Sequence, residues 1–428
     1  MKFPTFGVSK PKKFVHATAT LISGNVIGQS LGLIFIPFIS RIYSPGDFGI
    51  YGLFLSTAAI AAAVLSLKYE AAILAARTHN EARALTILSL YLVPITGIIT
   101  TLVVILADTI KTKLSVHLPI TVLIALFLYL VSYGWFWAMR FWVLRGSGYT
   151  ELARLDIVRG AFRGPSQLLL GFLHSGSMGL IGGEVLGQIS RVVWLRKRMQ
   201  MLFRETILPS YRDILRVAKN YRVFPLMSVP SSILDAISTN IVTFAVAWAF
   251  GAELTGIFVL TQKFVALPIN LLAASIADVY QEKLAKYLHE DASKMLGFTV
   301  KVFVILAIIA VCIWAVLTLA ANRIIPELFG KQWQLAGDVA VALAPWFAAQ
   351  FAVSPISRLI FVVGGQSFKL VYDVIAAVIA LGVPALASYR HWDFIHTVKV
   401  LGVLELAAYL LYFLLLAVAL SKANRKIA

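Results

Sequence analysis

Apolar residues run along this chain in blocks too long for strands and too continuous for the single stripe of a surface helix. They fall near residues 14–40, 47–67, 84–107, 118–140, 152–173, 177–195, 223–250, 254–277, 298–321, 338–361, 369–389 and 398–420. About 20 helical residues cross a hydrocarbon core roughly 30 Å thick, so the pattern predicts twelve membrane-spanning helices. A membrane barrel would need strands of about 10 residues with alternating polarity. The expected class is therefore an all-α polytopic membrane protein.

Composition agrees: 60% of residues are hydrophobic and 14% charged, and the mean hydropathy of +0.85 lies far above that of soluble domains. The formal charge of +18 reads as membrane topology, because the basic residues mark one side. With Lys2, Lys10, Lys12 and Lys13 in the cytoplasm, most lysines and arginines fall in the tails, the even-to-odd connections and the span ends beside them. Arg41, Lys111, Lys113, Arg323, Lys331, Arg390 and Lys399 face outward. The positive-inside rule then places both termini in the cytoplasm. The first apolar run is too long for a signal peptide and lacks a small-residue cleavage site, so it is read as the first span. The bilayer is the expected partner, and nucleic acid is not.

Several chemistries find no support. Cys312 stands alone, and the seven histidines form no pair at metal-ligand spacing on a helix. His391 and His396, in an outer loop, read as solvated. Neither a phosphate-binding Walker loop nor a dinucleotide fingerprint occurs. No metal and no cofactor are expected.

The longest polar stretch carries Arg196, Lys197, Arg198, Arg204, Arg212, Arg216, Lys219 and Arg222. It predicts a basic cytoplasmic linker, 196–222, with a surface-lying amphipathic helix, between six-span halves at 1–195 and 223–428. The halves repeat weakly. Tyr43-Ser-Pro-Gly-Asp-Phe-Gly-Ile-Tyr-Gly-Leu53 aligns with Phe250-Gly-Ala-Glu-Leu-Thr-Gly-Ile-Phe-Val-Leu260, and Arg140, Gly146 and Leu152 match Arg358, Gly364 and Leu370. Matching loops lie on the same side, so the repeat is parallel, an arrangement that commonly encloses a midplane cavity with alternating access.

Ile42-Tyr-Ser-Pro-Gly-Asp-Phe-Gly-Ile-Tyr-Gly-Leu-Phe54, Leu67-Lys-Tyr-Glu-Ala-Ala-Ile73, Tyr221-Arg-Val-Phe-Pro225 and Leu328-Phe-Gly-Lys-Gln-Trp-Gln-Leu-Ala-Gly337 with Leu343-Ala-Pro-Trp346 occur in that order along most of the chain. Through them the sequence resembles the polysaccharide-exporting flippases, O-antigen flippases included, of the multidrug/oligosaccharidyl-lipid/polysaccharide exporter superfamily. The resemblance implies two six-helix bundles in a V around a central cavity. It also implies a transporter, not an enzyme, that moves undecaprenyl-diphosphate-linked oligosaccharide from the inner to the outer leaflet of the bacterial inner membrane, beside glycan polymerase or glycosyltransferase partners. Span six of that family usually has an uncharged residue where Glu184 stands here.

Charged residues inside spans cost about 2.5–3.5 kcal/mol on insertion scales, so those that remain usually face a bundle interior or an aqueous cavity. Arg159 and Arg163, one turn apart in span five, lie roughly 10 and 16 Å from its cytoplasmic start at 1.5 Å per residue. Guanidinium forks match phosphate oxygens; the pair is the candidate diphosphate contact, with Gln167 and Ser166 reaching sugar hydroxyls. The structural alternative is an i,i+3 pair of Asp156 with Arg159, the latter snorkelling to the interface. Gly164-Pro165, directly after Arg163, loosens the helix there, as a hinge or a plain kink.

In the second half, Asp235 is the candidate ion-coupling residue, and Lys263 its partner or a second diphosphate contact. A permanent ion pair locking two helices is the alternative. Glu184, Asp278, Asp373 and Glu405 lie nearer span ends and read as interfacial. Asn25 and Gln29, one turn apart in span one, either bind sugar or hydrogen-bond between helices. Gly24, Gly28 and Gly32, like Gly179, Gly183 and Gly187, have the small-residue spacing of close helix packing. Trp135, Trp137 and Trp142 either stack on sugar rings or form an interfacial belt.

The flippase competes with two other functions. A multidrug or organic-cation antiporter of the same fold needs a net negative cavity, whereas Arg159, Arg163 and Lys263 outweigh Asp235 and favour an anionic cargo. A membrane polysaccharide polymerase or ligase needs a large catalytic outer loop, and the longest here, near 322–337, is short.

Overall fold

The computed structural model describes residues 11–110, 119–204, 209–290, 294–363 and 366–427, nearly all of them helical. Lys2, Lys10, Lys111, Lys113 and Gly364 lie outside the described residues. The first half comprises α1 (Pro11–Ile42), α2 (Pro45–Ala62), α3 (Tyr69–Ala75), α4 (His79–Ile110), α5 (Ile120–Arg145), α6 (Tyr149–Phe172) and α7 (Ser177–Arg204). A short α8 (Tyr211–Asn220) precedes α9 (Val229–Glu290), α10 (Lys294–Phe329), α11 (Gln334–Val353), α12 (Leu359–Val363), α13 (Gln366–Arg390) and α14 (Phe394–Ile427). Each expected span falls on these helices, the second running past the end of α2 and the tenth crossing from α11 into α12. The seventh and eighth share α9, which breaks at Gly251, whose φ of 80° suits a residue without Cβ.

Among the described residues, eight helices are long and apolar enough to cross a bilayer, or nine if α2 and the bent segment after it count as one span. The helices α6 and α7 are not among them. Their charges lower their apolarity, and a bundle tolerates such helices only where the charges are paired inside protein or face water. Internal prolines, such as Pro37, Pro94 and Pro165, are tolerated as they commonly are in membrane helices.

By Cα proximity the chain divides into two units, Met1–Tyr43 with Leu53–Asn240, and Ser44–Gly52 with Ile241–Ala428. The first unit is organised around α6. One face of α6 lies on α1, where a methyl group added at Gly24, Gly28 or Gly32 would overlap Ala153, the Asp156 backbone or the Arg163 guanidinium respectively. The adjacent face lies on α7, where Gly183 and Gly187 accommodate Gln167 and Arg163. Both glycine stripes are thus packing surfaces that bring backbones close.

The linker helix α8 begins with a capping box, Ser210 and Asp213 bonding reciprocally. Its inner residue Val217 is buried among Tyr69, Ala72, Ile73, Ala76, Ala82 and Leu85. Tyr69 donates to the Ala218 carbonyl (3.0 Å) and Tyr221 to Glu81 (3.0 Å), so the helix is docked on the first unit as well as amphipathic.

In the second unit α11 packs on α10 and α14, and α13 on α14. The residues of the two repeated stretches meet here: Gly49 and Gly52 accept Ala252 and Val259, and Gly256 accepts the Pro45 carbonyl. Phe48 stands edge-on to the fully buried Trp333 at 5.0 Å.

Candidate functional site

Six charged residues of the first unit, Arg140, Asp156, Arg159, Arg163, Glu184 and Arg191, converge on the wall formed by α5, α6 and α7. Arg159 and Arg163 project from one face of α6, as their spacing requires. Because α7 runs beside α6 with Gly187 against Arg163, Glu184 one turn away comes between the two guanidiniums. Arg159 Nη2 donates to Glu184 Oε1 at 2.5 Å, and Arg163 Nη1 lies 3.7 Å from Oε2. The Glu184 side chain is 1% exposed, the arginines 27% and 23%. A carboxylate this buried is sustained only by such cations, while the arginine side chains themselves are only partly buried.

Glu184 is thus a correction to the sequence reading, which placed it at an interface. The signal was its place beside Gly183 in a small-residue stripe, since a residue flanking that stripe must meet the neighbouring helix. Asp156 is a second correction: its Oδ1 accepts from Arg191 at 2.7 Å and its Oδ2 lies 3.8 Å from Arg140. Arg140 entered only as a repeat position and Arg191 not at all, because they sit on other helices and only the fold unites them with Asp156.

Gln167 does not face an opening. It is 5% exposed, its amide donates to the Leu180 carbonyl at 2.9 Å, and its own carbonyl accepts from Tyr43 at 2.7 Å. That geometry ties α6 to α7 and α1 in place of the expected sugar contact. Ser166, beside it, is half-buried. Asn25 is exposed, and its Oδ1 accepts from Gln29 Nε2 at 2.9 Å, so the two amides pair along α1.

Aromatic rings extend the wall along α5. Tyr129 and Tyr133 stack at 5.8 Å, and Tyr133 meets Trp137 at 6.0 Å. Trp135 donates to the Leu90 carbonyl at 3.1 Å, and Trp142 lies 5.2 Å from His79. Gln188 Nε2 approaches the Tyr129 hydroxyl at 3.4 Å, and its buried Oε1 has no hydrogen-bond partner among the described residues. The wall therefore carries Arg140, Arg159, Arg163 and Arg191 against Asp156 and Glu184, a surplus of positive charge suited to an anion.

Asp235 and Lys263 belong to different units. Asp235 is exposed on α9 and has no ion pair among the described residues. Lys263 is half-buried in the second unit, its Nζ 4.0 Å over the Tyr51 ring, a cation–π contact. Among the described residues no group of His, Cys, Asp and Glu could hold a metal ion.

Transporters are among the solved structures of similar fold. An inward-facing multidrug resistance MATE family transporter of the MOP superfamily matches with a TM-score of 0.66 at 17% identity, over 95% of this chain and 100% of its own. The lipid II flippase MurJ, in an inward closed conformation, matches at 0.58 and 12% identity, over 94% of this chain and 87% of its own. A MOP superfamily transporter from Pyrococcus furiosus matches at 0.56 and 15% identity, over 95% and 96%. No curated protein matches by sequence. A family model described as "Polysaccharide biosynthesis protein" matches residues 38–337. The chain is a multi-pass membrane protein with the fold of the MOP superfamily, and it belongs to the polysaccharide biosynthesis protein family.

Proposed function

We propose that this protein is a flippase that moves undecaprenyl-diphosphate-linked oligosaccharide from the inner to the outer leaflet of the bacterial inner membrane by alternating access, with both termini in the cytoplasm. The carrying observation is the Arg159–Glu184–Arg163 group: two guanidinium edges held by one buried carboxylate on the wall of a membrane bundle. A lipid diphosphate must take its negative charge across an apolar layer, and preoriented guanidiniums replace the water it leaves. Membership of the polysaccharide biosynthesis protein family and the likeness in fold to a lipid II flippase support a lipid-linked glycan as cargo. An organic cation would meet net repulsion on the same wall.

Glu184 holds the pair from the protein side and does not leave it. Pulling it away would strand a carboxylate that is 1% exposed, a cost of several kcal/mol. The diphosphate therefore binds the exposed part of the Arg159 and Arg163 side chains. Asp235, exposed and about 18 Å into its span at 1.5 Å per residue, is the candidate ion-coupling group.

The test is leaflet exchange of a fluorescent undecaprenyl-diphosphate oligosaccharide in liposomes containing the purified protein. The wild type exchanges the lipid and Arg163→Ala loses the activity. A wild type inactive toward several such glycans under an imposed ion gradient would end the flippase reading in favour of the antiporter. Exchange insensitive to Arg163→Ala would make the arginine structural.

A further inference from the structure

The Arg159–Glu184–Arg163 group has a near copy on the same wall. Asp156 precedes Arg163 by seven residues of α6, two turns or roughly 10 Å along the axis. In both groups one carboxylate is shared unequally by two arginines. Glu184 stands 2.5 Å from Arg159 and 3.7 Å from Arg163; Asp156 stands 2.7 Å from Arg191 and 3.8 Å from Arg140. The loosely held arginines are similarly accessible, Arg163 at 23% and Arg140 at 25%.

At 3.7–3.8 Å a guanidinium feels the carboxylate's charge without a well-formed hydrogen bond. Its N–H donors are left for another acceptor. The other neighbours of Arg140 are the faces of Trp137, at 5.4 Å, and Phe136, at 6.0 Å, which hold a cation without consuming its donors. Asp156 cannot follow a ligand outward, because Arg191, 7% exposed and packed over Phe136 at 4.1 Å, anchors its other oxygen.

We propose that Arg140, tethered by Asp156, is a second phosphate-binding station, nearer the cytoplasmic end of the wall than Arg163. It takes a phosphate or diphosphate group, free or on a lipid, and passes it deeper. Each group keeps one positive charge in surplus, so each attracts the anion and neither traps it. The proposal rests on the reading of Arg163 as a diphosphate contact.

Titration calorimetry of the full chain in nanodiscs separates the two claims. Inorganic pyrophosphate and a polyprenyl diphosphate are titrated in turn into the wild type, Arg140→Gln, Arg140→Lys and Arg163→Gln. The wild type is expected to bind two equivalents, and each glutamine variant one. Arg140→Lys should keep both, the second about tenfold weaker, since an ammonium is a point charge and not a fork. Uptake of pyrophosphate would show a site for the phosphate group itself; uptake of the polyprenyl diphosphate alone, again with one equivalent lost in Arg140→Gln, would show a site for the lipid head group. An Arg140→Gln variant that titrates like the wild type with both ligands overturns the second station. If Arg163→Gln still loses an equivalent in that case, the flippase reading survives. If Arg163→Gln also titrates like the wild type, the reading of Arg163 falls as well.

Discussion

The pair α6 and α7 and its counterpart α13 and α14 hold the same places in the two sequence repeats and have been filled with different chemistry. Carrying the alignment of Leu152 with Leu370 along the helix puts Val374, Ala377 and Leu381 where α6 has Asp156, Arg159 and Arg163. The ion pair that α13 does possess, Lys369 with Asp373 at 2.6 Å, is local, one turn apart and partly exposed. Where α6 and α7 meet through carboxylates, α13 and α14 meet through rings, Tyr372 packing on Tyr409 at 5.1 Å and Tyr412 at 4.4 Å. One architecture thus supports both a polar and an aromatic seam.

The largest effect should come from emptying the polar seam. Replacing both Arg159 and Arg163 by alanine removes charge-assisted hydrogen bonds worth about 1.5–3 kcal/mol each and should slow lipid exchange by at least about 100-fold. Replacing Lys369 and Asp373 together removes an i,i+4 pair worth about 0.5 kcal/mol and should change exchange less than about twofold. Equal losses in the liposome assay would abolish the distinction.

Buried carboxylates sharpen it. Glu184→Ala leaves two cations without their counter-charge and should destabilise the protein by about 3 kcal/mol, read from thermal unfolding in detergent. Glu405 is also buried, at 3% exposed, but has no ion pair among the described residues. Glu405→Gln should leave the midpoint unchanged or raise it. A smaller loss, about 1–3 kcal/mol for overpacking, is expected of Gly187→Leu, which forces α7 from Arg163; preserved stability would show that the helices can part.

The smallest effect lies outside the membrane, at α8. The Ser210 hydroxyl and backbone N–H bond the Asp213 carboxylate and hold it below the usual aspartate range. Its contribution is complete above the unfolded-state value and is lost as pH falls through the lowered folded value. Amide exchange of 211–220 should therefore quicken only in acid, and Ser210→Ala should quicken it already at neutral pH. A flat profile would assign the helix's order to Val217 alone.

The spans were legible because lipid demands long apolar runs, and the Arg159–Arg163 pair because helix periodicity places residues four apart together. Their partner was not legible. Which carboxylate a membrane arginine meets depends on neighbouring helix order and register, and nearest-neighbour spacing pointed to Asp156, which the fold gives to Arg191 and Arg140. Gln167 misled for the same reason: a polar side chain on a candidate stripe can be turned inward by a carbonyl of the next helix, here that of Leu180. The glycine stripes carried the missing register information, since a face without side chains must lie against something.

Those stripes also fix where the protein is free to change. Arg140 touches neither stripe, whereas any side chain at Gly28 or Gly183 collides with backbone. A lineage adapting to a different head group can therefore exchange the residues that meet the cargo one at a time, while the residues that meet nothing but carbon and peptide stay as they are.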